Sequence, residues 1–115
     1  MVLKYQGNDI ELVYSFRSSI YFEQIQGKNL DFSQFTSNDT ITLFYCVFIA
    51  SLQKNKMPVC SMLDFLDVVD DNGGEKAILD FTDWYINIMK SQLEVFNMTN
   101  DVKEEEKPSK KKKKN

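Results

Sequence analysis

The first fourteen residues alternate. Leu3 and Tyr5 point one way, Gly7-Asn8-Asp9 interrupts, and Ile10, Leu12 and Tyr14 resume the two-residue period. This pattern predicts a short β-hairpin with a Gly/Asn turn. Two strands alone are marginal in water, so the hairpin must lie on another element. From Ser15 the period lengthens to that of a helix. Ser15 can cap it. Phe16, Ile20 and Ile25 form its apolar row, Tyr21 and Phe22 widen that row, and Gly27 with Lys28 ends it. Residues 30–35 read as a connector pinned by its aromatics.

Thr36-Ser37-Asn38-Asp39 is a cluster of capping residues. Behind it Ile41, Phe44, Tyr45, Phe48 and Leu52 recur at helical spacing, with Leu43, Val47 and Ala50 on the other side. Length and capping favour helix over strand. A helix apolar all round is either the centre of a core or covered by a partner. The pattern predicts a central helix with part of its surface at a contact between subunits. Lys54-Asn55-Lys56-Met57-Pro58 breaks it. Ser61-Met62-Leu63-Asp64 then opens a short helix with Phe65, Leu66 and Val69 inward. Asp70-Asp71-Asn72-Gly73-Gly74 is a turn by composition. A last helix runs from about residue 75 to 96, with Phe81, Tyr85, Met89, Leu93 and Phe96 in one stripe and Trp84, Ile88 and Val95 beside it.

The reading is therefore a mainly α fold, a small bundle of about four helices with an N-terminal β-hairpin. After Thr99 the composition changes. Residues 101–115 hold one apolar side chain, Val102, and are mostly Lys and Glu, too little to order a core. Residues 1–99 thus read as the folded domain and 100–115 as a disordered tail. The net charge of −3 over 115 residues hides this division. Residues 1–100 carry seven basic and thirteen acidic groups, whereas 101–115 carry seven lysines and four acids. An acidic domain disfavours nucleic acid, which needs clustered cations, and leaves that role to the tail alone.

The chain has no histidine. That removes the Ser-His-Asp triad, the Cys-His pair and imidazole metal ligands. Asp67, Asp70, Asp71 and Glu75 invite a calcium loop. With Gly73 at its sixth position, however, the first and twelfth would be Val68 and Leu79, which offer no side-chain oxygen. The cluster reads as a solvated turn. Asp80 and Asp83 share a helix face, with Glu94 further on, and read as the soluble side of that helix. Gly73-Gly74 lacks the GK[ST] of a phosphate loop. No catalysis, cofactor or metal is expected. Cys46 and Cys60 have no CxxC partner and read as buried reduced thiols, which suits a cytosol. The residues after Met1 form no apolar signal core. The longest apolar run, residues 43–50, is far short of the roughly twenty that a membrane span takes, so no membrane role is expected.

The segment Tyr14-Ser15-Phe16-Arg17-Ser18-Ser19-Ile20-Tyr21-Phe22-Glu23-Gln24-Ile25-Gln26-Gly27-Lys28 resembles the opening of tail assembly chaperones of long-tailed, siphovirus-type bacteriophages and prophages. In that family a short hairpin leads into F-[RK]-x-x-x-x-[FL]-E-x-x-x-G-K. Residues 43–52 and Phe65-Leu66-Asp67 resemble its next elements, so the likeness covers about residues 8–70. The resemblance implies a protein that binds the tape-measure protein, keeps it soluble, and helps tail-tube subunits assemble around it. It implies action in the cytoplasm of a bacterial host, absence from the finished virion, and no enzymatic activity. It also implies a longer form made by ribosomal frameshift. Lysine codons are A-rich, so residues 110–114 followed by Asn115 sit where such a slip would occur.

Fifteen aromatic side chains in so short a chain suggest apolar area left for a partner. A homo-oligomer would also cover it. Tyr21, Phe44, Tyr45, Phe48, Trp84 and Tyr85 are the candidate contact residues. The competing expectation is a small regulatory protein whose basic tail touches nucleic acid.

Overall fold

The computed structural model of the protein describes residues 1–106, and for Phe32 and residues 93–106 the backbone alone. Strands β1 (Val2–Tyr5) and β2 (Asn8–Glu11) pair antiparallel, and four helices follow: α1 (Phe16–Gln26), α2 (Ser37–Lys54), α3 (Met62–Asp71) and α4 (Glu75–Glu106). The fold is thus the mainly helical one with an N-terminal hairpin. Its two compact units are residues 1–82 and the part of α4 from Asp83 onward.

The hairpin turns one residue earlier than Gly7-Asn8-Asp9. Its two loop residues, Gln6 and Gly7, both have positive φ, 50° and 77°. That is the geometry whose twist matches right-handed strands. Gly7 adopts it without steric cost. The earlier turn places Asn8 and Asp9 in β2 and sets Leu3 opposite Ile10, both buried.

Helix α1 starts at Ser15, whose hydroxyl accepts from the Ser18 amide, while Ser18 Oγ accepts from the Ser15 amide at 3.4 Å. Gly27 closes the helix at φ 70° and donates its N–H to Glu23 O. The helix faces inward through Ser18 and Phe22; of the expected row Ile20 is part-buried and Phe16 and Ile25 point to water. Phe16 is 80% exposed and Ile25 about half exposed. Phe22 stacks on Phe35 at 5.1 Å, and Ser18 finds its polar partner in the cap, so it is buried beside that ring at no hydrogen-bonding cost.

Helix α2 is the centre of the 1–82 unit. From Thr42 to Leu52 only Tyr45 keeps partial exposure. Phe44 stacks on Phe81 of α4 at 4.4 Å and meets Phe65 of α3 edge-on at 5.0 Å. Phe48 also touches Phe65, and receives Tyr5 of β1 edge-on at 5.3 Å. Ser51 ties down the chain between β2 and α1. Its Oγ accepts from Val13 N at 3.0 Å and donates to Val47 O at 2.8 Å. Tyr21 and Arg17 of α1 both donate to Gln53 Oε1. Most of the apolar surplus on α2, where a subunit contact was expected, is enclosed by the chain's own hairpin, α1, α3 and the first turns of α4, while Ile41 and Tyr45 keep partial exposure.

Lys56 takes the left-handed position after α2, φ 59°, and Met57 N–H closes back on Leu52 O. Helix α3 buries Phe65, Val68 and Val69; Leu66, expected inward, is 40% exposed. Asn72, which caps α3, docks on β1. Its Oδ1 accepts from Lys4 N at 2.9 Å and its Nδ2 donates to Lys4 O at 3.0 Å. Helix α4 buries Ala77 and Phe81 in the first unit. In the second unit Tyr85 is buried and Trp84 half-buried. The backbone stays helical to Glu106, past the boundary at residue 99; Lys and Glu are strong helix formers. Leu93, Val95 and Phe96 of the expected stripe, and residues 107–115 of the expected tail, lie outside the described side chains or residues. No helix among the described residues is long and apolar enough to cross a membrane.

Candidate partner-binding surface

The six aromatics expected to meet a partner do not form one surface. Phe44 and Phe48 have no exposure and build the core of the first unit. They cannot touch a partner while the domain is folded, and the expectation is corrected on that ground. Tyr85 is likewise buried at 1% exposure. Tyr21 and Tyr45 are half-buried, each with its hydroxyl engaged. Tyr21 donates to Gln53 Oε1 at 2.7 Å, and Tyr45 donates to Cys60 O at 2.7 Å. Trp84 keeps part of its surface.

The exposed apolar area lies elsewhere. Leu63 is 76% exposed and Leu79 65% exposed. Phe16, Leu66, Val59 and Ile25 add to it. Leu63 and Leu66 share the outer side of α3 with Asp67 and Asp70, since residues three, four and seven apart share a helix face. The signal was present in the sequence. Carboxylates at 67 and 70 mark that side as solvent-facing, so the two leucines beside them belong outside rather than in the core.

The surface of the first unit carries two open clefts, the second of them lined by Leu79. One has a volume of ≈380 Å³ and is lined by Val13, Ala50, Ser15, Gln53, Arg17 and Lys54. The other, ≈350 Å³, lies between the start of α2 and the start of α4, where Ile41, Ile78 and Leu79 face Ser37, Thr40 and Glu75. Neither gathers the groups of a catalytic centre.

The titratable groups inside the fold serve structure. Asp39 is buried and accepts from Lys28 Nζ at 2.8 Å, from the Thr36 amide at 3.0 Å and from Gln26 Nε2 at 2.6 Å. The Lys28 ammonium first, then the Thr36 amide, hold its carboxyl down at about 2. One side chain thus caps α2 and secures the exit of α1. Burial pushes the Cys46 thiol up to about 12. Burial, helped by the Asp64 charge, raises Cys60 as well. Both cysteines are free and buried, and thiols so raised stay protonated at neutral pH. The acidic residues of the α3–α4 turn form no metal-holding group, and no such group occurs among the described residues. No protein family, no curated protein and no solved structure matches the chain.

Proposed function

We propose that the protein is a tail assembly chaperone of the long-tailed bacteriophage type. It binds the tape-measure protein, keeps it soluble, and helps tail-tube subunits assemble around it in the host cytoplasm, without entering the virion. The observation that carries this reading is residues 14–28, which resemble the family's opening and lie where a hairpin runs into a capped helix stopped at a left-handed glycine. The mechanism is that of a holdase. Leucines left in water, Leu63, Leu66 and Leu79, offer apolar area to an aggregation-prone helical partner. The acidic excess of residues 1–100 keeps the complex soluble by net charge. A longer product made by frameshift near residues 110–114 belongs to the same proposal.

The test is light scattering from refolding tape-measure fragments, with and without the purified chain. An equimolar amount should suppress the scattering and elute with the fragment on a sizing column. Undiminished scattering together with separate elution sinks the reading. If instead a chain truncated after Thr99 loses a nucleic-acid contact that weakens steeply with salt, the regulatory alternative takes its place.

A further inference from the structure

The turn between α3 and α4 contains Asn72-Gly73-Gly74. Of the nine asparagines in the chain, Asn72 alone is followed by glycine. The backbone nitrogen of the next residue can attack an asparagine side chain at Cγ. Glycine has no Cβ to crowd that approach, so this dipeptide is the link in the chain most prone to deamidation. The reaction balances with water as its only co-reactant. The Gly73 nitrogen bonds to Cγ and gives up its proton, the Cγ–Nδ2 bond breaks, and ammonia leaves. Water then opens the five-membered imide at either carbonyl, leaving aspartate or isoaspartate at position 72.

The fold occupies every group this reaction needs. Asn72 Oδ1 accepts from Lys4 N at 2.9 Å, and Nδ2 donates to Lys4 O at 3.0 Å and to Val68 O at 2.8 Å. Both amide hydrogens are thereby used. The attacking nitrogen is engaged as well, since Gly73 N–H donates to Asp70 O at 3.3 Å. Ring closure loses the Nδ2 and Gly73 bonds outright. Both hydrogen bonds between β1 and the end of α3 run through this one side chain. A two-stranded hairpin is weak by itself and lifts in local openings that leave the rest folded.

We propose that Asn72 is a deamidation site gated by the hairpin. It is sealed while its amide holds Lys4, reactive when β1 lifts, and unable to reseal once converted. In the product an oxygen replaces Nδ2 and faces the carbonyls of Lys4 and Val68, acceptor against acceptor. The isoaspartate form also lengthens the backbone by one methylene where α3 gives way to α4. The new charge stands next to Asp70 and Asp71. The modified fraction thus records the time β1 has spent away from α3. The inference does not rest on the tail-chaperone reading.

Peptide mapping by mass spectrometry, after incubation of the full chain at mildly alkaline pH, tests it. In urea, position 72 should convert faster than any other asparagine. In the native chain its rate should fall about 10-fold or more. Equal rates in the two states, or faster conversion elsewhere in urea, overturn the proposal. Leu3→Ala removes a buried hairpin side chain and leaves the Asn72 bonds in place. It should speed native conversion about 3-fold or more, whereas Phe22→Ala, which loosens α1 instead, should change it less than about 2-fold. No acceleration by Leu3→Ala, or equal acceleration by both, overturns the gate. If circular dichroism shows that Leu3→Ala has lost its helices, Tyr5→Ala, which removes the contact with Phe48, replaces it. Asn72→Asp stands in for one product. It should speed hydrogen exchange at Lys4 N–H about 10-fold, and protection equal to wild type overturns the loss of the anchor.

Discussion

Helices α2 and α3 follow one another in the chain and both begin with a hydroxyl cap, Thr36 for one and Ser61 for the other. They end up in opposite situations. In α2 nearly every residue from Thr42 to Leu52 is buried, whichever way it points. In α3 three residues are buried, and Leu63 and Leu66 stay in water. The difference teaches that abundant apolar residues and available apolar surface are separate quantities. The helix with too many apolar residues is the one its own chain surrounds. The apolar share is much the same in α3, six residues of ten against ten of eighteen in α2, yet α3 is the helix that leaves some outside.

The largest effect that can break this comparison belongs to Phe44. Replacing it with alanine removes a stacked ring and an edge contact at once. Phe44→Ala should cost about 3–5 kcal/mol of stability, read as the shift in a urea unfolding curve. A loss below about 1 kcal/mol would mean that α2 is not the core.

The two caps sharpen the comparison next. Asp39 closes a reciprocal box with Thr36 and receives Lys28 and Gln26 besides, whereas Ser61 accepts one bond, from Asp64 N at 3.1 Å. The Asp39 carboxyl is lowered from 3.8 to about 2, so the folded state favours its charged form. Its contribution is full above the ordinary value and is lost as pH falls through about 4 to 2. Asp39→Asn should therefore melt below wild type near neutrality, with the gap closing in that acid window. A gap that holds constant down to pH 2 would show that the charge is not what stabilises the cap. The smallest effect is on the outer side of α3. Leu63→Ser should change stability by no more than about 0.5 kcal/mol in the same urea experiment. A larger loss would make Leu63 part of the core and erase the contrast.

Much of this was legible from local signals. Ser15, Gly27, Thr36 and Asp39 mark helix ends because capping is chemistry between neighbours in sequence. The alternation around Leu3 and Ile10 marks the hairpin for the same reason. What escaped depends on contacts between distant residues. Phe44 and Phe48 look like surplus until Tyr5, Phe65 and Phe81 arrive from three other elements. In α1 the row of Phe16, Ile20 and Ile25 competes with a narrower one through Ser18 and Phe22. The second is the buried one: Phe22 stacks on Phe35 from the connector, and the serine hydroxyl is already satisfied by Ser15, neither of which hydropathy registers. Phe44, Phe48 and Tyr85 are unavailable to a partner for a related reason: the largest apolar side chains are the ones folding consumes first.

Asn72 carries a consequence of its own. Its amide takes both the N–H and the C=O of Lys4, the groups that β1 would otherwise present to a neighbouring strand. A helix terminator thereby also serves as a plug for the open side of a two-stranded ribbon, where unpaired backbone invites strand-to-strand aggregation. A protein crowded with copies of itself can then keep its ribbon from zipping onto the next, at the expense of a single side chain.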